Sequence, residues 1–259
     1  MSKMIHKKDV KYLASLKNKK FRLLNNEFVI EGSKLILDAL KHNQLIQKII
    51  YSTKVENFNA IRQQSKKHNI ELILCTTKDA ERISDTKNSQ QIFALLKYDS
   101  LITAKNNLNT LNGPVVIIDG ISDPGNVGTI LRTCSWFGCN TIMITNNSVE
   151  LYNPKTIRSA MGAHFHMQNI YRDTIENIVK YLKDNNYEIL GANMNGADFS
   201  QYKIKSNNWA LVLGNEARGL SEEVKKIAHL IHIPAGDKKM ESLNVAEAGS
   251  IIMYHLFKK

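Results

Sequence analysis

Cysteine is scarce in this 259-residue chain: only Cys75, Cys134 and Cys139 are present. The number is odd and no pair has CxxC spacing. That excludes a disulfide frame or a zinc site and points to small buried residues in a reducing, cytoplasmic setting. No run of about 18 apolar residues occurs, so a membrane-spanning helix is excluded. The N-terminal "MSKMIHKKDVKYLASLKNKKFR" is basic but has no continuous apolar stretch, which argues against a secretory signal. Histidines and carboxylates do not fall at metal-ligand spacing, so His164, His166, His229 and His232 read as packing or surface residues and no metal is expected. Neither a G-x-G-x-x-G loop nor a Walker-type GK[ST] occurs, which removes the two standard nucleotide-binding readings. Internal repeats and low-complexity tracts are also missing.

Acidic residues are short in one half only. Residues 1–112 hold 20 Lys and Arg against 10 Asp and Glu, whereas residues 113–259 hold 15 against 14. Seven lysines fall within the first twenty residues, against the single acid Asp9. Such a surface attracts polyanions without reading their sequence.

What is present is an α/β rhythm with 43% apolar residues, enough for one large core or two ordinary ones. In the basic half, "FVIEG", "LIQKIIYS", "IELILCT" and "QQIFALLKY" predict strands, separated by helical patterns at 33–43, 55–68 and 77–86. "DSLITAKNNLNTLNG" breaks the pattern and marks a connection near 100–112, giving domains at 1–105 and 113–259. The second half predicts strands at "PVVIID", "TIMIT", "YEILGAN", "WALVLG" and "LIHIP" and helices near 127–137, 155–161, 174–183, 220–228 and 243–257. That alternation implies a parallel sheet, with ligands beyond the carboxyl ends of its strands.

Three segments look built for that position. In "DGISDPGNVGTILRTCSWFG", Pro124 and Gly125 can form a tight turn, Asn126 can cap a helix, and Arg132 lies within two turns of its start. In "LVLGNEARGLSEEV", a strand ends at Gly214, Glu216 follows, and acids occupy the first turn of the next helix. In "HIPAGDKKMESLNVAEAGSIIMYHLF", Ser242 reads as an N-cap, and Asn244 is out of place inside a helix.

In order and spacing, "DPGNVGTILRTCSWFG", "LGNEARGLS" and "IPAGDKKMESLNV" resemble the three motifs of the SpoU/TrmH family, and "NPKTIRSAMGAHFHM" resembles its intermediate motif. "FVIEGSKLILDAL" resembles the L30e-like substrate-binding domain that often precedes the catalytic one. One departure is Ala217, where many members carry glycine. The resemblance implies an α/β fold whose C-terminal SPOUT domain is a trefoil-knotted parallel sheet. It further implies transfer of a methyl group from S-adenosylmethionine to a ribose 2′-hydroxyl of RNA, leaving S-adenosylhomocysteine. Ribosomal RNA, 23S in particular, stands ahead of tRNA, because the two-domain layout resembles members acting on the large subunit. A non-catalytic RNA-binding module is the remaining alternative.

The resemblance places Arg132, Asn126, Glu216, Ser242 and Asn244 at the catalytic site, and Gly214, Ile233 and Leu243 at the donor. A guanidinium offers donors and no acceptor. Arg132 is therefore assigned to a substrate phosphate and the developing alkoxide rather than to proton abstraction. Glu216 would orient Arg132 or the ribose. Family members pair through the knotted domain, so a homodimer is expected. The small residues Ala246, Ala248, Gly249 and Ser250 of the last helix suit close approach of a partner helix.

Overall fold

The computed structural model describes residues 3–42, 45–53, 55, 58–98, 111–236 and 242–258. The chain forms two compact units, one of residues 1–100 with 152–165 and one of residues 101–151 with 166–259. Apart from residues 111 and 112, the connection expected near 100–112 lies outside the described residues.

The first unit runs β1 (Lys3–Met4), α1 (Lys7–Ser15), α2 (Lys19–Asn25), β2 (Glu27–Glu31), α3 (Ser33–Lys41), β3 (Ile46–Tyr51), α4 (Phe58–Lys67), β4 (Glu71–Leu74), α5 (Thr77–Ile83) and β5 (Ile92–Lys97). Its five strands lie in the order β1-β4-β3-β5-β2. β5 is antiparallel to both neighbours, and the other pairs are parallel. The apolar run "IFALL" of β5 is wholly buried, as a strand covered on both faces requires. α5 starts with a reciprocal capping box between Thr76 and Asp79, which satisfies two of its free amides. Tyr152 closes the unit, stacking on Tyr98 at 4.0 Å and lying 4.6 Å from Phe28 between ring centres.

The second unit carries β6 (Val115–Asp119), α6 (Pro124–Phe137), β7 (Thr141–Thr145), β8 (Asn169–Asp173), α8 (Ile175–Asp184), β9 (Glu188–Asp198), β10 (Trp209–Gly214), α9 (Glu222–Lys225), β11 (His229–His232) and α10 (Val245–Phe257); α7 (Pro154–Ala160) belongs to the first unit. The six strands order as β11-β9-β10-β6-β7-β8, and every pair is parallel. All residues of β6, β7 and β10 are buried, which explains why these strands read as continuous apolar runs rather than alternating ones. Pairing of β9 with β10 ends at Gly191 against Val212. Beyond it, Ala192 to Gly196 have no counterpart on β11 before the ladder resumes at Ala197. The sheet thus parts at its carboxyl end, beside Leu213 and Gly214. No helix among the described residues is long and apolar enough to cross a membrane.

Three of the small residues of α10, Ala246, Gly249 and Ser250, serve contacts within the chain. Ala246 is buried, and a Cβ on Gly249 would come within 2.7 Å of Leu213 Cδ1. Ser250 Oγ lies 3.0 Å from Thr133 Oγ1 on α6. Only small side chains allow α10 to lie this close to β10 and α6.

Candidate active site

The site is built where β6, β10 and the segment before α10 reach one edge of the parallel sheet. β6 ends at Asp119, and Gly120 turns the chain with φ +70°. The Gly120 amide donates to Thr145 Oγ1 and Ser148 Oγ, both at 2.9 Å, and both hydroxyls lie against the carbonyl of Ile118. These buried hydroxyls hold the turn from below.

From above, Asn215 Nδ2 donates to the Gly120 carbonyl at 2.7 Å. Its Oδ1 accepts from the amides of Ala217 and Arg218, both at 3.0 Å. Asn215 and Gly219 exchange backbone hydrogen bonds at 2.9 and 2.8 Å, so the segment between them is a tight closed loop. In that loop only Gly219 has a positive φ, and Ala217 is accommodated without strain. The departure from the motif at 217 leaves Glu216 in place.

Gly214 also has a reason within the fold itself. A Cβ there would fall 2.5 Å from Gly219 C and O and 2.6 Å from Leu220 N. The chain's own backbone fills that space. Buried Asp119 adds a further tie, accepting from the Ser221 amide at 2.8 Å.

Two expected caps belong to other residues. Asp123, not Asn126, caps α6, accepting from the Asn126 amide at 3.0 Å. Asn244, not Ser242, caps α10, accepting from Ala246 N at 2.8 Å and Glu247 N at 3.4 Å. An asparagine is favoured at such a cap, which resolves its apparent misplacement in a helix. The Asn126 side chain is thereby left to bridge. Its Nδ2 donates to Glu216 Oε1 at 2.8 Å, and its Oδ1 accepts from Asn244 Nδ2 at 3.0 Å. One residue from each motif therefore joins a single chain, Glu216–Asn126–Asn244.

Glu216 also accepts from the Ser122 amide and hydroxyl and the Asp123 amide, each at 3.3 Å. Partial burial by itself would raise its pKa. The Asn126 side chain and the backbone amides at the start of α6 outweigh that and hold it below the ordinary value. The carboxylate is aimed at α6 and Asn126. Arg132, exposed on the same helix, has no hydrogen-bond or ion-pair partner among the described residues. Ser242 is exposed, Ile233 is half-buried, and Leu243 is 49% exposed. Residues 237–241 of the third motif lie outside the described residues.

Asp119, Ser122, Thr145, Ser148 and Asn215 escaped the sequence reading. Asp119 and Asn215 do carry a signal, a polar residue at the end of an apolar strand. Thr145 and Ser148 carry none, since their role is to bind another strand's backbone.

The model of the SpoU rRNA Methylase family matches residues 113–254, more than half of the chain. The chain belongs to the SpoU rRNA methylase family. Residues 7–94 match a second model, the MRM3-like substrate binding domain. Among curated relatives, a Bacillus subtilis 23S rRNA (guanosine(2553)-2′-O)-methyltransferase is 30% identical over 95% of both chains. A TrmH-family protein of Porphyromonas gingivalis, described as a putative RNA methyltransferase, is 29% identical, with a TM-score of 0.83 over 97% of this chain and 98% of that one. An AdoMet-bound rRNA methyltransferase of Sinorhizobium meliloti, 24% identical, shares the fold with a TM-score of 0.85 over 98% and 95%. The α/β architecture with a parallel sheet expected from the SpoU motifs is the one observed.

Proposed function

We propose that the chain is an S-adenosylmethionine-dependent RNA ribose 2′-O-methyltransferase acting on ribosomal RNA, with 23S RNA ahead of tRNA. The observation that carries the reading is the Glu216–Asn126–Asn244 chain of hydrogen bonds. It gathers three distant motifs beside a helix that presents Arg132 without a partner among the described residues.

The residues of the second and third motifs fit the donor. Leu243 and Ile233 offer apolar surface to an adenine ring, and the closed loop after Gly214 offers backbone groups. Bound there, S-adenosylmethionine supplies an electrophilic methyl group on a positively charged sulfur. The ribose hydroxyl is a weak nucleophile, so the protein's task is to place it and stabilise the charge it develops. Arg132 takes a substrate phosphate and the developing alkoxide. Glu216, held on the amides of α6, fixes Asn126, and Asn126 fixes the start of α10 where Ser242 and Leu243 stand.

Three further features belong to this reading. The trefoil knot of the second unit is carried over from the resemblance of its motifs to the SpoU family. A homodimer through the second unit is supported by the large apolar side chains that α6 and α10 expose, Trp136 (84%), Tyr254 (56%) and Ile251 (40%). The cytoplasm is the compartment, where ribosomal RNA and three free thiols both belong.

The test is methyl transfer from labelled S-adenosylmethionine to unmodified ribosomal RNA, with nuclease mapping of the product. Arg132→Ala should lower the rate about 1,000-fold while S-adenosylhomocysteine binding stays within twofold. A variant as fast as the parent removes Arg132 from the chemistry, and a label found on a base removes the ribose.

A further inference from the structure

Helix α2, "KKFRLLN", is built inside out. Its one buried residue is the arginine: Arg22 is 1% exposed, while Phe21, Leu23 and Leu24 are 39%, 51% and 73% exposed. Large aliphatic side chains are ordinarily the buried ones, and a guanidinium is almost never fully buried unless paired. Here it is paired. Arg22 Nη1 donates to the carbonyls of Leu16 at 2.8 Å and Lys17 at 2.6 Å, closing the turn between α1 and α2.

That pairing fixes which face looks outward. At 100° per residue, Lys20 and Leu24 stand opposite Arg22, and Phe21 and Leu23 flank it. Rolling the helix to bury the leucines would pull the guanidinium off two carbonyls in a buried turn, at a cost the leucines could not recover. Asn18 caps the helix through the Lys20 amide at 2.9 Å, and Asn26 ends it in the left-handed conformation with φ 52°. Both ends and the inner face are therefore fixed, so the apolar patch is part of the folded unit rather than a frayed turn.

The surroundings of the patch choose its occupant. Lys19 and Lys20 are exposed on the same helix, in the half of the chain that holds twice as many basic as acidic residues. An apolar partner protein would find lysines in its path. An unpaired nucleotide suits both, with its base on the Phe21 ring and Leu24 and its flanking phosphates on the lysines. We propose that α2 is an RNA contact that grips an unpaired stretch, Phe21 stacking on a base and Lys19 and Lys20 holding the backbone. This rests on the RNA reading above and goes beyond it by naming the surface and the single-stranded form.

The experiment uses the full chain, an unstructured 20-nucleotide oligouridylate and a 20-base-pair RNA duplex, with affinities read by fluorescence anisotropy. Phe21→Ala with Leu24→Ser should weaken oligouridylate binding about tenfold and leave duplex binding within twofold. Phe21→Trp should retain parental affinity. Lys19→Gln with Lys20→Gln should reduce the slope of log affinity against log salt by about 1.4, two phosphates' worth on a single strand. These are surface changes, and an unchanged melting temperature with parental S-adenosylhomocysteine binding establishes that each variant is folded. Unchanged oligouridylate affinity in the Phe21/Leu24 variant, or equal losses on both RNAs, would overturn the proposal. So would a smaller particle by light scattering in the absence of RNA, which would make the patch a contact between copies. A parental protein that binds neither RNA would instead overturn the RNA reading itself, and α2 with it.

Discussion

Glu31 and Glu216 occupy similar places in the two units. Glu31 ends β2 and Glu216 stands two residues beyond β10, and each carboxylate reaches a distant segment. Glu31 accepts from Ser84 Oγ at 2.7 Å and from Ser89 Oγ and Gln90 N at 2.8 Å, so it staples residues 84–90 to the end of β2. Glu216 has one short bond, to Asn126, and three at 3.3 Å. The first is a structural clasp with strong donors, and the second is a looser link whose main partner passes on to another motif. The sheets explain the difference. With β5 running against its neighbours, the first unit sends its loops to both edges. The second unit's strands are all parallel, so their carboxyl ends, and the loops of three motifs, share one edge.

The largest expected effect lies at the glycine beside each clasp. A Cβ at Gly32 would meet the Gln90 side chain at 2.8 Å, which can move, although the φ of +113° disfavours any substitution. At Gly214 it would meet backbone, which cannot. Gly214→Val should therefore destabilise the protein by about 3–5 kcal/mol in denaturant unfolding, and Gly32→Ala by about 1–3. A Gly214→Val protein of parental stability with weakened S-adenosylhomocysteine binding would reverse the assignment and return that space to the ligand.

Next come the clasps themselves. Asn126→Ala should cut methyl transfer about 100-fold while costing about 1 kcal/mol of stability, because it severs both inter-motif bonds at an exposed edge. Glu31→Ala should do the opposite, costing about 2 kcal/mol while leaving the rate at saturating RNA within twofold. If the two variants lose rate and stability in the same proportion, the division between clasp and site is wrong.

The smallest effect concerns acid. Glu216 is held below its ordinary 4.5, so its contribution is fully present above that value and disappears as pH falls through the lower, folded one. S-adenosylhomocysteine binding should thus be flat from pH 8 to about pH 5 and weaken only below pH 4.5. The Glu216→Gln variant should lose that acid limb. A parental limb centred near pH 6 would assign the titration to another group.

Much of this arrangement can be read from residue order, though unevenly. β6, β7 and β10 carry uninterrupted apolar runs because both faces are covered, and such a run is hard to mistake. β8, "NIYRD", went unrecognised because it is an edge strand whose ends can stay polar. α1 and α2 were hidden in a lysine-rich stretch that reads as charge before it reads as helix. Within the site, Asn126, Glu216 and Asn244 were legible as residues, but their caps were not. Asp123 and Asn126 are both good caps, and residue type alone does not decide between them. Asn215 and the Thr145–Ser148 pair act on backbone groups 25 to 95 positions away, a kind of partnership that leaves no periodicity.

The bond from Asn244 to Asn126 spans 118 positions of the chain. During synthesis at about 5–20 residues per second, Asn126 emerges roughly 6–24 seconds before the residue that completes its contacts. Throughout that interval β6 and α6 can form, yet the last motif is still unmade. A ribosome that stalls before Asn244 therefore releases a chain with much of its sheet and no assembled centre. Such a fragment could occupy RNA through its basic N-terminal half without modifying it, which gives the cell a reason to degrade incomplete copies quickly.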